Sequence, residues 1–138
     1  SYLDNHAENR FLSEVGKDFR KYKMGLTWLM TLRGIPEIYY GTELAVKNFK
    51  IPTDAEVRKD FPGGWKEDPI NKFDESQRTA REKEVYQFVK KLITIRTSSE
   101  AIGKGDFIQF LPFDEGIYAY FRKSDNETIM VISNASEK

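Results

Sequence analysis

Between Asp4 and Arg10 the chain gathers Asp4, Asn5, His6, Glu8, Asn9 and Arg10 directly after an apolar strand end, Tyr2-Leu3. A polar cluster at the carboxyl end of a parallel strand occupies the place where α/β folds and barrels bind their ligands. A neutral imidazole donates one hydrogen bond and accepts another, which suits sugar hydroxyls. The same residues also describe a capped surface loop with one histidine, and composition alone does not separate the two readings. The other acids near an expected strand end are dispersed. Glu37 and Glu43 flank the run Ile35–Tyr40, while Asp54, Glu56 and Asp60 fall in the following loop. Glu43, at the strand end, is the best placed of these for chemistry; a residue there commonly caps a helix or pairs with Arg or Lys. Trp65, with Phe61 nearby in a Pro-Gly-Gly loop, offers a flat ring for stacking on a sugar, or equally an anchor for an irregular loop. No metal is expected, because a single histidine without a ligand cluster is a poor site, and no cofactor is expected either.

Three regions must position these residues. The first, about Ser1 to Glu43, reads as strand end, helix, strand. Phe19, Tyr22, Leu26, Leu29 and Leu32 recur at helical spacing until Gly34 and Pro36 stop the run. Ile35–Tyr40 then reads as a short buried parallel strand ending at Gly41, with Tyr39 and Tyr40 as barrel packing. A helix followed at once by such a strand is the rhythm of an α/β fold.

The second region, about Leu44 to Ser99, opens irregularly through Pro52, Pro62, Gly63, Gly64 and Pro69, with Asp54 as a candidate cap of a short turn. A long helix follows. Thr79 and Glu82 have capping-box spacing, Val85, Phe88, Val89, Leu92 and Ile93 form an apolar face, and Thr97-Ser98-Ser99 ends it. From Ile102 the period changes. Phe107–Leu111, Ile117–Arg122 and Thr128–Ser133 read as three strands of an antiparallel meander, joined by Pro112–Gly116 and Ser124-Asp125-Asn126. Tyr118, Tyr120 and Arg122 alternate with Ala119 and Phe121, the pattern of ordinary sheet-face packing. Three strands alone leave one face to cover, so this domain looks cut short.

Composition bounds the partners. Lys plus Arg and Asp plus Glu each total 22 of 138 residues, without a long block of one sign. That argues against nucleic acid and against a membrane surface. Cysteine is absent, which excludes thiol catalysis, disulfides and cysteine-bound zinc. No apolar run reaches membrane-spanning length, and the start lacks a signal-peptide pattern. A start at Ser1 suggests a trimmed or processed chain. Secreted, periplasmic and cytoplasmic bacterial locations all stay open.

Tyr2-Leu3-Asp4-Asn5-His6-Ala7-x-x-Arg10-Phe11 resembles the fourth conserved region of the α-amylase superfamily of glycoside hydrolases, usually Phe-x-x-Asn-His-Asp. Gly34–Glu43 is similar to the segment those enzymes use for the eighth barrel strand. Asp60-Phe61-Pro62-Gly63-Gly64-Trp65 looks like a loop of bacterial neopullulanase- and cyclomaltodextrinase-like members. The long helix and the strands from Phe107 resemble the last barrel helix and the start of the family's C-terminal β-sandwich.

The resemblance implies an α/β-then-all-β architecture: the last strand-helix units of a (β/α)8 TIM barrel over 1–101, then the first strands of an antiparallel β-sandwich over 102–138. It implies that His6 hydrogen-bonds the sugar ring beside the scissile bond and that Asn5 supports the loop. Ala7 stands where the family carries its third acid, and alanine has no oxygen for that role. Glu8 is adjacent but points elsewhere. The family's nucleophile and acid/base lie on earlier strands. The implied partners are an α-glucan or maltooligosaccharide, the N-terminal barrel part of the same parent, and possible self-association through open strand edges. The intact parent is expected to cleave α-1,4-type bonds and this segment to be inactive. The alternatives are a non-catalytic amylase-like protein used for carbohydrate binding or assembly, and an unrelated α+β interaction module forming a compact monomer without an open sheet edge.

Overall fold

The computed structural model describes residues 1–110 and 116–136. Among the described residues four helices and one sheet follow in chain order: α1 (Phe11–Glu14), α2 (Phe19–Thr31), α3 (Ala80–Ser98), α4 (Glu100–Lys104), β1 (Asp106–Phe110), β2 (Ile117–Lys123) and β3 (Thr128–Asn134). Short 3-10 turns lie at Thr42–Leu44, Asp54–Val57 and Glu75–Gln77.

Helix α2 begins where expected, because the Asp18 carboxylate accepts the free backbone N–H groups of Arg20 and Lys21. Leu32 is its C-cap rather than its last turn. Helix α3 begins at the capping box foreseen from Thr79 and Glu82, each side chain bonding the other's backbone N–H. The apolar faces of the two helices meet: Leu12, Tyr22, Leu26, Met30, Val85, Val89 and Leu92 form the core. Phe88 is partly buried against this cluster, but Ile93, expected on the same face, is 42% exposed.

Two short helices escaped the sequence reading. Four or five residues are too few for the 3.6 period to register. Helix α1 covers Gly25 of α2 with the Phe11 ring. Helix α4 starts at Ser99, whose hydroxyl accepts the Ile102 N–H. The predicted cap Asp54 lies inside its turn; Thr53 holds the cap position, without a side-chain bond.

Ile35–Tyr40 is not a strand. Its pairing reduces to two bonds, Ser1 N–H to Ile35 O (2.8 Å) and Glu37 N–H to Ser1 O (2.8 Å). That is the repeat of a parallel ladder, present once. Without neighbours on both sides a parallel strand cannot be buried, and Ile35 is 86% exposed. The apolar strand end Tyr2-Leu3 likewise lies outside any ladder.

The meander is as expected: β1, β2 and β3 pair antiparallel in that order, with Phe107 opposite Arg122 and Arg122 opposite Ile129. Leu111 and the first four residues of the Pro112–Gly116 turn lie outside the described residues. One face of the sheet packs on α2. Trp28 Nε1 donates to Ser133 Oγ (2.7 Å), and Arg122 Nη1 and Nη2 donate to Thr31 O (3.1 Å) and Gly105 O (2.8 Å). Tyr120 and Arg122 are buried in this contact. Arg96 of α3 reaches the same helix end, donating to Met30 O and Gly34 O. Two cations thus meet the orphan carbonyls and negative dipole end of α2.

Candidate functional site

The polar segment after Leu3 divides into buried residues that hold the loop and exposed residues that it presents. Asp4 and Arg10 are buried, while His6 and Glu8 are exposed. Asp4 accepts the Phe11 N–H (2.9 Å) on one oxygen and the Thr42 hydroxyl (2.9 Å) on the other, with Arg10 Nε at 3.6 Å. Arg10 Nη2 donates to Tyr40 O at 2.5 Å, and its guanidinium lies 4.6 Å from the Tyr39 ring centroid and 5.6 Å from that of Tyr40. The tyrosines expected as barrel packing therefore bracket a buried cation, with Tyr40 itself 40% exposed.

This ion pair ties the base of the loop to the Tyr39–Thr42 segment. Gly41 makes the approach possible. Its φ is +83°, and a Cβ there would stand 3.0 Å from Arg10 Nη2 and 2.8 Å from Val46. Tyr22 completes the support by donating its hydroxyl to Thr42 O (2.7 Å). Burial, and then the Asp4 charge, hold that phenol neutral well above its ordinary range. Burial, followed by Tyr39, also raises Tyr40, to about 12.

Above this base, Asn5 Oδ1 accepts the Ala7 N–H (2.7 Å) and closes an Asx turn that presents His6. A second segment straps the turn from outside. Arg58 Nε donates to His6 O (2.7 Å) while Nη2 holds Asp54 (2.8 Å), and Lys50 Nζ reaches Ala7 O (3.3 Å). Asn9 Oδ1 accepts the Lys50 N–H. The structure thus joins Asn5, His6 and Ala7 in one turn.

Trp65 stands on a separate loop. It is 63% exposed and donates Nε1 to Asp60 Oδ2 (3.0 Å). Asp54, Glu56 and Asp60 are engaged by Arg58, Lys59 and Trp65 in turn. Glu43 lies half-buried in the 3-10 turn after Gly41, and Glu37 is exposed. Among the described residues no group of three or more His, Cys, Asp or Glu side chains could hold a metal ion. The residues that sequence reasoning overlooked are Asp4 and Arg10 as a buried pair, and Arg58 as the strap. The six-residue spacing of Asp4 and Arg10 around a turn was the available signal; nothing marked Arg58.

Known proteins resemble this chain in sequence and fold. The family described as alpha amylase, catalytic domain, matches residues 1–80, and the cyclo-malto-dextrinase C-terminal domain matches residues 107–138. A cyclomaltodextrinase of Geobacillus thermopakistaniensis is 33% identical over 137 residues, covering 99% of this chain and 21% of the relative. A cyclomaltodextrin glucanotransferase of Bacillus sp. (strain 1-1) is 33% identical over 136 residues, covering 99% of this chain and 16% of its own length. Among solved structures, a cyclomaltodextrinase superposes with a TM-score of 0.77 at 27% identity, covering 97% of this chain and 20% of the other. An Anoxybacillus alpha-amylase gives 0.75 at 28%, covering 100% and 27%. The chain spans about a fifth of the length of such relatives. Its catalytic-domain region precedes a C-terminal domain, as in these barrel enzymes. The chain belongs to the alpha-amylase family of glycoside hydrolases.

Proposed function

We propose that these residues are the closing part of the catalytic barrel, with the start of the C-terminal domain, of a retaining hydrolase of α-1,4-linked glucans. In this reading the Asn5–His6 turn forms part of the floor of the sugar site. His6 donates and accepts toward the hydroxyls of the ring beside the scissile bond, Asn5 shapes the turn, and Trp65 contributes a stacking face. The observation that carries the reading is the exposed imidazole on a turn anchored from beneath by a wholly buried Asp4–Arg10 pair. Fixing an imidazole that can donate and accept on a braced turn is what sugar recognition needs. The names of the relatives, cyclomaltodextrinase and cyclomaltodextrin glucanotransferase, support an α-glucan as substrate.

A retaining mechanism requires a nucleophilic carboxylate and an acid/base carboxylate about 5–5.5 Å apart across the bond. Asp4 is taken up by Phe11, Thr42 and Arg10, and Asp54 by Arg58. Ala7 offers no oxygen at the third acidic position. The chemistry therefore belongs to carboxylates outside these 138 residues, and the chain alone hydrolyses nothing. We place the domain change at 101/102, within the short helix α4 that follows α3. The open edges near Ser1 and Ile35 make self-association of the isolated chain an expected behaviour.

Incubating the chain with maltohexaose and assaying reducing ends should give no release above the blank. Protein-dependent release would refute the inactivity. Saturable binding of the sugar that His6→Ala weakens is the expected positive result, and its absence would refute the sugar-site assignment. Ala7 favours a second reading, a non-catalytic relative that binds carbohydrate. The two diverge in the residues encoded upstream: intact nucleophile and acid/base positions support the hydrolase, and their loss supports the binding protein.

A further inference from the structure

Among the described residues two arginines are fully buried, Arg10 at 0% and Arg122 at 2% exposure. They differ in what balances their charge. Arg10 has the Asp4 carboxylate at 3.6 Å. Arg122 stands in no ion pair among the described residues, and its Nε makes no hydrogen bond. Its two terminal nitrogens are spent on neutral acceptors, Thr31 O and Gly105 O. A buried cation without a counter-charge is strongly disfavoured unless something else neutralises it.

The surroundings deepen the imbalance. Arg96 Nη1 donates to Met30 O (2.8 Å) and Leu32 O (3.3 Å), and its Nη2 to Gly34 O (2.6 Å). The guanidiniums of Arg96 and Arg122 therefore hold neighbouring carbonyls of one helix end. Arg33 falls within the same run, exposed and in no ion pair among the described residues. The C-terminal end of α2 carries about half a negative charge, against three cations. Burial first, and then the Arg96 charge with Arg33 behind it, lower the Arg122 guanidinium from its ordinary range.

The cluster is open on one side. Arg33 and Gly34 are exposed, and they lie where Ser1 meets Ile35, at the opposite end of these segments from the His6 turn. Arg33 offers an unspent planar fork of N–H donors, which fits paired oxygens of a carboxylate or phosphate. A neutral sugar cannot supply the missing charge, and a cation is repelled.

We infer that the Arg33–Arg96–Arg122 cluster is an oxyanion site, in which a phosphate or carboxylate group bridges Arg33 and Arg96 over the buried charge of Arg122. The occupant is either a free anion or an acidic side chain of polypeptide beyond these residues. The site joins the end of α2 to α3 and β2, and it is independent of the α-glucan reading.

The chain is titrated with inorganic phosphate during urea unfolding, with sodium chloride holding ionic strength constant. At about ten times its dissociation constant, phosphate should lower the unfolding equilibrium constant about tenfold by mass action. The Nε–H resonances of Arg33 and Arg96 should shift saturably while the His6 imidazole stays still. Arg33→Gln alters an exposed side chain, so it should fold as the parent does and lose the phosphate response. Arg33→Lys keeps the charge without the fork and should retain part of it. A response matched by sodium chloride alone, or one undiminished in Arg33→Gln, would overturn the site. In a longer parent polypeptide a persisting response identifies a free anion. Its loss, with Arg33→Gln now destabilising, identifies an acidic side chain of the parent; loss without that destabilisation counts against the inference.

Discussion

Replacing Asp4 with alanine is the sharpest test of how the histidine turn is held. The carboxylate is 2% exposed and serves Phe11 N–H, the Thr42 hydroxyl and Arg10 together. Its loss strands a guanidinium that is itself fully buried, with Nε and Nη1 already lacking hydrogen-bond partners. Removing one member of a buried ion pair costs about 3–5 kcal/mol. The orphaned N–H and hydroxyl overlap with this cost instead of adding to it. With a urea dependence of about 1.5 kcal/mol per molar, the unfolding midpoint should fall by about 2–3 M, a large share of the total stability of a domain. Asp4→Asn retains an acceptor of similar shape and should lose about half as much. Asp4→Ala combined with Arg10→Leu should recover part of the loss, since deleting both charges removes the uncompensated one. The assay is urea unfolding followed by circular dichroism on the parent, Asp4→Ala, Arg10→Leu and the double variant as a double-mutant cycle. A midpoint change below about 0.5 M for Asp4→Ala, or a coupling energy under about 0.5 kcal/mol, would refute the claim that this pair anchors the loop.

Arg58→Gln removes the strap on His6 O without touching the core, so stability should change by under about 1 kcal/mol, while amide exchange of Asn5–Glu8 accelerates; unchanged exchange would remove Arg58 from the site. Thr79→Ala should cost about 1 kcal/mol in urea unfolding, because it opens the capping box of α3; a neutral result would mean that Lys72 and Glu82 suffice. Burial works against ionisation of Glu82, but hydrogen bonds from Lys72 and Thr79 outweigh it and lower its pKa. A depressed folded-state pKa stabilises above the ordinary value near 4.5 and is lost as pH falls through the folded value. Glu82→Gln should therefore flatten the decline in urea midpoint below pH 5, and an unaltered decline would contradict this. Burial raises Tyr22 and Tyr40, so their contribution is intact below pH 10 and fades as pH rises through the folded values. Absorbance titration should find a late-ionising set of phenols that includes Tyr22, Tyr40 and Tyr120, and a single uniform step would count against this desolvation.

Much of the scaffold was legible because it rests on local chemistry. The Thr79–Glu82 box, the Phe19–Leu32 periodicity and the three alternating strands are set by neighbours a few residues apart, and each appears within one or two residues of its expected bounds. The elements that failed depend on partners distant in sequence. Ile35–Tyr40 carries the apolar pattern of a buried strand, yet a ladder needs a neighbour on each side and Ser1 supplies one pair of bonds. Ile93 follows the α3 pattern but sits where the packed face has already ended.

The same division runs through the site. Asn5, His6 and Trp65 are our proposed sugar contacts on residue type and on resemblance to the family, and Ala7 is marked by that resemblance alone. Sequence also settled the family and the meander. The assignment of Asp4 and Arg10 to support rather than to solvent required the third dimension. Burial is decided by what covers a residue, here Tyr39, Tyr40 and Thr42 some thirty positions away. The strap from Arg58 to His6 O crosses fifty-two positions through a backbone carbonyl, a contact that every residue type can accept and that leaves no trace in the order of side chains.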